Sequence, residues 1–340
     1  MNEFLALDPD QQIAAMTAVA RAALSRWDRD VAQLTLIKYR ENAVFELRAA
    51  DGDRFALRVH RSGYHTDREL LSELQWMSAL AGSSFEVPAV VPASDGSLFV
   101  KATAPEIPGP LQVDMLGWLE GEAIGSIETG FACPSDQLGD LYHQVGRLTA
   151  RLHDHGAGWP LPSGFSRHAW DAQGLLGPNP FWGEFRELPA LSAHLPLIEQ
   201  ACRKARDDLG RLGQSAGHYG LIHADLVPEN VMRAGDRLML IDFDDAGYGW
   251  YMFELATALF WLTDRPDYDL IAEGLLAGYD SVRRLSSAQR QQLPLFLFLR
   301  SLTYLGWVQT RSETATAREF TPMMVEKAVL SATEYLRCGV

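Results

Sequence analysis

Asp225, Asn230 and Asp242 are three oxygen-bearing side chains whose order and spacing suit the transfer of a phosphoryl group. Together with His223, the first two match the H-x-D-x-x-x-x-N spacing of a catalytic loop. In such a loop the aspartate faces the acceptor hydroxyl and the asparagine turns towards a metal ion, while a further aspartate at a strand end bridges metal and phosphates. We therefore predict that Asp225 is catalytic, that Asn230 and Asp242 bind Mg²⁺, and that ATP is the phosphoryl donor.

Each of these residues also has an ordinary structural interpretation, because single Asp, Asn and His residues are common in turns and helix caps. The flanking pattern favours the catalytic interpretation. Residues 220–222 are an apolar lead-in to the loop, and residues 237–241 are a second apolar run after the turn signal at 234–236. This pattern predicts a small hairpin with the site at its tips and both metal candidates at one edge.

The loop and residues 241–249 resemble the aminoglycoside phosphotransferase and choline kinase superfamily, which is the small-molecule branch of the protein-kinase-like fold. More narrowly, they resemble its homoserine-kinase-like and bacterial stress-kinase-like members. The similarity runs from near Val31 to near Trp307. It implies the same roles for the three oxygen-bearing residues, with ATP and Mg²⁺ as cofactors, and makes His223 a structural member of the loop.

The resemblance also implies the architecture of the chain. It predicts an α+β, bilobal protein-kinase-like fold, with a small β-rich N-lobe at residues 1–119 that contains a leading helix, an antiparallel sheet and one further helix. A large, mainly helical C-lobe is expected at residues 120–340. Residues 156–189 are rich in Gly, Pro and aromatic residues and are expected to be an insertion bordering the active-site cleft.

Arg58 takes the place where protein kinases carry a phosphate-binding lysine at the end of a strand. Its acidic partner on the following helix would be Glu73, with Glu69 as the rival. A permanently charged guanidinium offers a fork of donors that suits phosphate oxygens. The phosphate-covering turn would be residues 39–43, which contain Asn42 and no glycine. In the alternative interpretation, Arg58 is a strand residue whose charged end simply pairs with one of the two glutamates.

Residues 120–122 look like the hinge at which kinase-like enzymes bind adenine through backbone hydrogen bonds. Trp118 and Leu119 directly precede this hinge and are the predicted adenine-lining residues. A tryptophan before a loop is also a common core residue, and this alternative remains open.

Four carboxylates are candidates for the wall of a substrate site that binds a cation: Asp171, Glu184, Asp245 and Glu254. The first two lie in the aromatic insertion, and aromatic faces and carboxylates both attract an amine. Core packing and helix capping are the alternative roles of all four.

Composition narrows the range of partners. The 340 residues are 47% hydrophobic and carry a formal net charge of −14, which disfavours nucleic acid as a partner. No stretch approaches the length of about 20 apolar residues that spans a bilayer, and the acidic N-terminus does not resemble a secretion signal, so we expect a cytoplasmic protein.

Three widely spaced cysteines predict neither a disulfide framework nor a zinc site. Histidines 143, 153 and 155 lack the companion ligands of a metal site.

Periodicity predicts the secondary structure that must position these residues. We expect Thr66 as the N-cap of a helix over 67–80 and Gly82 just past its end. Strands are predicted at 31–37, 43–47, 54–59, 87–91, 97–102 and 112–119, and further helices at 9–27, 138–153, 250–262, 270–279, 288–309 and 323–336.

Few residues separate Asp242 from the helix expected near Trp250, which leaves no room for a long activation segment of the protein-kinase type. The leading hypothesis is therefore a kinase that phosphorylates a hydroxyl of a small molecule, and the acidic surface is compatible with an amine-bearing one. Residues 299–307 also resemble the bacterial stress kinases, which keeps a Ser/Thr protein kinase as an alternative. A catalytically inactive nucleotide-binding module is the third hypothesis, motivated by Arg58 and the glycine-free turn.

Overall fold

A computed structural model describes Phe4 and residues 7–39, 42–83, 85–131 and 133–338. The chain divides into two compact units. The first contains residues 1–121 together with the short segments 161–166 and 239–244, and the second contains residues 122–160, 167–238 and 245–340. The sequence predicted a division between residues 119 and 120 and did not assign the two later segments to the first unit.

The first unit is built on an antiparallel five-stranded sheet in the order β1-β2-β3-β5-β4. Alternate residues of β2 are buried, so one face of the sheet joins a hydrophobic core with helix α1, which carries a capping box at its N-terminus. The predicted strand at 87–91 is wrong, because Val90 makes only an isolated bridge there. The elements are α1 (Pro9–Ala23), β1 (Val31–Tyr39), β2 (Ala43–Ala49), β3 (Arg54–Val59), β4 (Phe99–Ala102) and β5 (Leu111–Gly117).

Helix α2 (Asp67–Ala81) begins where the sequence predicted. Thr66 accepts a hydrogen bond from the backbone of Glu69, and the Glu69 carboxylate accepts one from the backbone of Thr66. Gly82 is the C-cap. Because the capping box holds Glu69 at the first turn, the buried Glu73 one turn later is the glutamate that faces the interior of this unit.

The second unit is mainly helical. Helices α3 and α7 pack closely, and a side chain at Gly146 would overlap the carbonyl oxygen of Leu275. Glycine therefore permits the close approach of the two backbones. The helices are α3 (Leu138–Gly158), α4 (Ala172–Leu176), α5 (Leu195–Leu212), α6 (Tyr251–Phe260), α7 (Tyr268–Asp280), α8 (Ser287–Arg290), α9 (Leu293–Thr310) and α10 (Ala315–Arg337).

Short strands position the loops of the second unit. Strand β10, which leads into the predicted catalytic loop, pairs antiparallel with β13, and β13 pairs parallel with β9. The hairpin after the loop consists of β11 and β12, so the lead-in strand belongs to a different sheet from the run at 237–241. The strands are β6 (Glu122–Ala123), β7 (Gly125–Ser126), β8 (Gly130–Phe131), β9 (Ala169–Trp170), β10 (Tyr219–Ile222), β11 (Val231–Ala234), β12 (Arg237–Leu240) and β13 (Gly247–Trp250).

Several helices differ from the prediction. Helices α4 and α5 were not predicted, α1 ends at Ala23 instead of 27, and α3 continues to Gly158 instead of 153. The helix expected at 288–309 is divided into α8 and α9, with Pro294 in the first turn of α9, where its missing N–H costs no hydrogen bond. Helix α10 starts at Ala315 and continues through Pro322. Of the helices that the structure describes, none has both the length and the apolar character to cross a bilayer.

Candidate active site

The loop between β10 and β11 carries Asp225 and Asn230 in the second unit. Its first turn is unusual because Ala224 has a φ of 65°, in the left-handed region that non-glycine residues rarely adopt. The Glu254 carboxylate of α6 holds this turn, since the Ala224 amide donates to both of its oxygens at 3.0 and 3.2 Å. His223 is completely buried and accepts a hydrogen bond from the Asp225 amide at 3.3 Å. The loop backbone is therefore fixed from its buried side.

Glu254 corrects one prediction. It was expected in the substrate wall, but no part of its side chain is exposed, so it supports the loop instead. Burial alone would raise the pKa of Glu254, and His153 together with His223 more than offsets this, so the pKa is lowered and the carboxylate stays ionised. His153 is equally buried and hydrogen-bonds Tyr279 at 2.8 Å.

The Asp225 carboxylate is held through both of its oxygens. Asn230 donates from Nδ2 to Oδ2 and to the backbone oxygen of Asp225, each at 2.9 Å, and Arg300 donates from Nη2 to Oδ1 at 2.9 Å. The Asp225 side chain is nevertheless 22% exposed, so an acceptor molecule can reach it. With its amide nitrogen directed at Asp225, Asn230 has its amide oxygen available as a ligand for a hard cation.

Asp242 lies in the segment 239–244 of the first unit and is exposed. Its φ of 64° is a left-handed conformation, which Asp tolerates better than most residues. The next residues anchor the segment: the Phe243 ring packs edge-on against Trp76 at 5.6 Å, and His65 donates to the Asp244 carbonyl at 2.7 Å. The convergence of Asp242 with Asp225 and Asn230, which lie in the second unit, stays a prediction.

Arg58 and Glu73 form the pair that the sequence predicted. Arg58 donates from Nη2 to Oε1 of Glu73 at 2.9 Å, and it also makes a two-pronged interaction with Asp114, from Nε to Oδ1 and from Nη2 to Oδ2, both at 2.9 Å. All three side chains are buried. The remaining nitrogen, Nη1, is buried without a hydrogen-bond partner in the structure. The predicted contact of Arg58 with the phosphates of ATP stays a prediction.

Asp114 was missed by the sequence analysis. It lies directly opposite Arg58 in the β3–β5 ladder, on a strand whose other buried residues are apolar. The sequence signal that could have identified Asp114 is a charged residue within an apolar strand, because an Asp is almost never fully buried without a partner.

His60 completes this buried charge cluster. Its Nε2 donates to Asp114 at 2.5 Å, and its Nδ1 lies 3.6 Å from an oxygen of Asp244. Burial alone would lower the pKa of His60, but the Asp114 carboxylate outweighs it and raises the pKa to about 9. Two cations, Arg58 and His60, thus face the three carboxylates of Glu73, Asp114 and Asp244 inside the first unit.

The other predicted nucleotide contacts also lie in the first unit. Asn42 accepts a hydrogen bond from the Arg61 amide at 3.1 Å, whereas residues 40 and 41 of the same predicted turn are outside the described residues. Trp118 is covered by the Arg54 guanidinium at 4.2 Å from its ring, and Leu119 is half-buried. The adenine-lining role of these two residues stays a prediction.

Asp171 and Glu184 cap helical turns. Asp171 accepts from the amides of Gln173 and Gly174 at the start of α4, and Glu184 pairs with Arg186 at 2.8 Å. Asp171 also lines an open cavity of about 390 Å³. Both carboxylates thus have the capping role that was the alternative for them.

Asp245 has an aromatic environment in the second unit. Trp182 donates from Nε1 to Oδ1 of Asp245 at 3.1 Å, and Trp170 donates to its backbone oxygen at 2.9 Å. The side chain is half-buried. Among the four predicted substrate carboxylates, Asp245 therefore has the surroundings best suited to an amine.

A five-stranded sheet with a buried Arg–Glu pair, and a mainly helical unit with an H-x-D-x-x-x-x-N loop, define a protein-kinase-like α+β fold. Residues 35–287 match the Phosphotransferase enzyme family (APH), and the chain belongs to this family. It is a kinase.

Individual relatives extend the comparison over most of the chain. The structure of a microcompartment-associated aminopropanol kinase is 31% identical, with a TM-score of 0.82, over 94% of this chain and 97% of that one. The homoserine kinase of Rhizobium meliloti strain 1021 is 28% identical over 320 residues, covering 87% of each chain. The amicoumacin kinase of Bacillus subtilis strain 168 is 24% identical over 298 residues, covering 85% of this chain and 83% of its own.

Proposed function

We propose that the protein is an ATP- and Mg²⁺-dependent kinase that phosphorylates the hydroxyl group of a small amine-bearing alcohol in the cytoplasm. The observation that carries the proposal is the Asp225 carboxylate, which is fixed by Asn230 and Arg300 through separate oxygens and is still exposed to an incoming hydroxyl. Three relatives named for small-molecule acceptors, aminopropanol, homoserine and amicoumacin, support the substrate class.

Asp225 orients the acceptor hydroxyl and takes up its proton. A bond forms between the acceptor oxygen and the γ-phosphorus of ATP, and the bond from that phosphorus to the bridging oxygen breaks, so ADP leaves. Because this transition state is loose, the aspartate acts mainly by positioning and needs little basicity.

Asn230 and Asp242 are the residues that would hold Mg²⁺. Their donor atoms, an amide oxygen and a carboxylate, form the hard-oxygen set that this ion prefers. When bound, Mg²⁺ neutralises negative charge on the phosphates. Arg58 binds the phosphates through its guanidinium group, whose orientation is fixed by Glu73 and Asp114.

The amine of the acceptor would bind at Asp245. Its half-buried carboxylate next to Trp182 combines a negative charge with an aromatic face, and both attract a cation. The formal net charge of −14 likewise favours a cationic substrate, and it argues against a nucleic-acid partner.

A screen of phosphate acceptors tests the proposal. Purified protein with ATP and Mg²⁺ is incubated with amino alcohols, amino acids that carry a hydroxyl, and aminoglycosides, and ADP release and acceptor phosphorylation are both measured. We expect at least one amino alcohol to be phosphorylated, with a loss of at least about 100-fold in kcat for Asp225→Asn. Asp207→Asn, at an exposed position of α5, is the matched control and should keep wild-type activity.

The alternatives give different results in the same screen. Phosphorylation of a generic protein substrate, without turnover of any small acceptor, would identify a Ser/Thr protein kinase. ATP binding without turnover would identify an inactive nucleotide-binding module. Wild-type activity in Asp225→Asn would refute the catalytic assignment.

A further inference from the structure

Arg300 is a fully buried arginine of α9 that reaches the catalytic loop. Its Nη1 donates to the backbone oxygen of Ala224 at 3.1 Å, and its Nη2 donates to Oδ1 of Asp225 at 2.9 Å. It therefore contacts the left-handed residue of the loop and the predicted catalytic carboxylate with one rigid group. None of the considerations that identified the catalytic loop assigns a role to this residue.

Aromatic side chains fix the position of the guanidinium group. The Arg300 guanidinium carbon lies 4.6 Å from the Trp182 ring centre and 4.5 Å from that of Tyr304. Nη2 also donates to the Tyr304 hydroxyl at 3.0 Å, and the same hydroxyl accepts from Trp261 at 2.7 Å. A planar cation held by rings and hydrogen bonds has little freedom, because each partner restricts a different direction.

The charge of Arg300 needs a compensating partner because a buried ion without one is unstable. Asp225 supplies it. Oδ1 of Asp225 is bound by Arg300, and Oδ2 is bound by Asn230. The two contacts together restrain the torsion angles of the Asp225 side chain, so they determine the orientation of its carboxylate.

We propose that Arg300 is a positioning residue for phosphoryl transfer, which holds the Asp225 carboxylate in the orientation that engages the acceptor hydroxyl. This inference rests on the proposed function. Arg300 has no exposed surface and so touches neither ATP nor acceptor. Its loss should lower kcat and leave the KM for ATP nearly unchanged, because a misdirected carboxylate slows the reaction step more than binding.

Arg300→Met tests this role by keeping the length of the side chain and removing its charge and donors. We expect kcat to fall about 100-fold, the effect of a displacement of about 1 Å at a reacting group. The KM for ATP should change by less than about 2-fold if only positioning is lost. Arg284→Met is the matched control, because the Arg284 side chain is 92% exposed, and it should behave as wild type.

Chemical rescue separates positioning from general support of the fold. Arg300→Ala leaves a space between Trp182 and Tyr304 that suits a free guanidinium ion. Addition of methylguanidinium at low millimolar concentration should restore kcat at least about 5-fold in Arg300→Ala, and it should have no effect on Asp225→Asn. A structural defect would not respond in this way.

Tyr304→Phe is the second variant, for the case in which the Arg300 variants do not fold. It removes one acceptor of the guanidinium and keeps the ring, so the protein should fold normally while kcat falls about 3- to 10-fold, as for the loss of one hydrogen bond. Wild-type kcat in Arg300→Met, or in Tyr304→Phe if Arg300→Met is unfolded, would overturn the inference. So would folded Arg300→Ala that methylguanidinium does not rescue. A wild-type protein that phosphorylates nothing would instead overturn the proposed function, and the inference with it.

Discussion

Arg58 stands where protein kinases carry a phosphate-binding lysine. Replacing it tests whether the buried charge cluster around it depends on an arginine. Three hydrogen bonds at 2.9 Å join its guanidinium group to Asp114 and Glu73, and all three side chains are buried. Lysine keeps the charge, but a single ammonium group cannot reproduce the two-pronged contact with Asp114. Each buried hydrogen bond to a charged group contributes about 1.5–3 kcal/mol.

Arg58→Lys should therefore lower the free energy of unfolding by about 2–3 kcal/mol, the equivalent of about one such bond. Arg58→Met takes the guanidinium away from two buried carboxylates, Glu73 and Asp114, and breaking a buried pair in this way costs about 3–5 kcal/mol. Both changes should weaken ATP binding. Urea unfolding followed by tryptophan fluorescence measures the stability, and titration with ATP and Mg²⁺ measures the binding.

The double variant Arg58→Met/Asp114→Leu makes the reasoning refutable. Removing the carboxylate together with the guanidinium should recover stability relative to Arg58→Met, with a coupling of about 2 kcal/mol between contacting residues. ATP binding should stay weak, since the phosphate-binding group is still missing. Arg48→Met is the control, because its side chain is 48% exposed and its ion pair should contribute less than about 1 kcal/mol. Equal losses of stability in Arg58→Met and Arg48→Met, or strictly additive effects in the double variant, would refute the claim that the buried cluster stabilises the protein.

Two further predictions concern the groups that support each unit. Glu254→Ala should reduce kcat at least about 10-fold and the free energy of unfolding by about 1–3 kcal/mol, because the Ala224 amide loses its acceptor. Glu254→Gln keeps an acceptor oxygen and should stay closer to wild type. Steady-state kinetics measure the first effect, and urea unfolding measures the second. The pKa of His60 is raised in the folded protein to about 9, so its stabilising contribution is complete below pH 6.5 and is lost as the pH rises through about 9. The urea midpoint should fall across that range in wild type, and a His60→Gln variant with the same pH dependence would contradict this assignment.

Local patterns in the sequence determined much of the secondary structure. Thr66, Glu69 and Gly82 mark the two ends of α2, because capping depends on residues only a few positions apart. The alternation in β2 likewise identifies its buried face, since successive side chains of a strand point to opposite sides. The H-x-D-x-x-x-x-N spacing places the Asp225 carboxylate and the Asn230 amide within one loop, where they are hydrogen-bonded.

The partners of these residues were decided by the tertiary structure. Asp114 is 56 positions from Arg58, and Arg300 is 75 positions from Asp225, so neither pair follows from any local period. Glu254 was predicted in a substrate wall because a carboxylate suits a cation, yet α6 directs it beneath the loop, where it accepts a hydrogen bond from the Ala224 amide.

The physical reason is the range over which each signal acts. Backbone geometry fixes which side chains share a face of one helix or strand, and the sequence shows this directly. Which buried charges meet depends on how distant elements pack, because a buried ion is stable only next to a compensating partner. The sequence by itself therefore predicted the groups that we propose do the chemistry, and the tertiary structure decided which residues hold them in position.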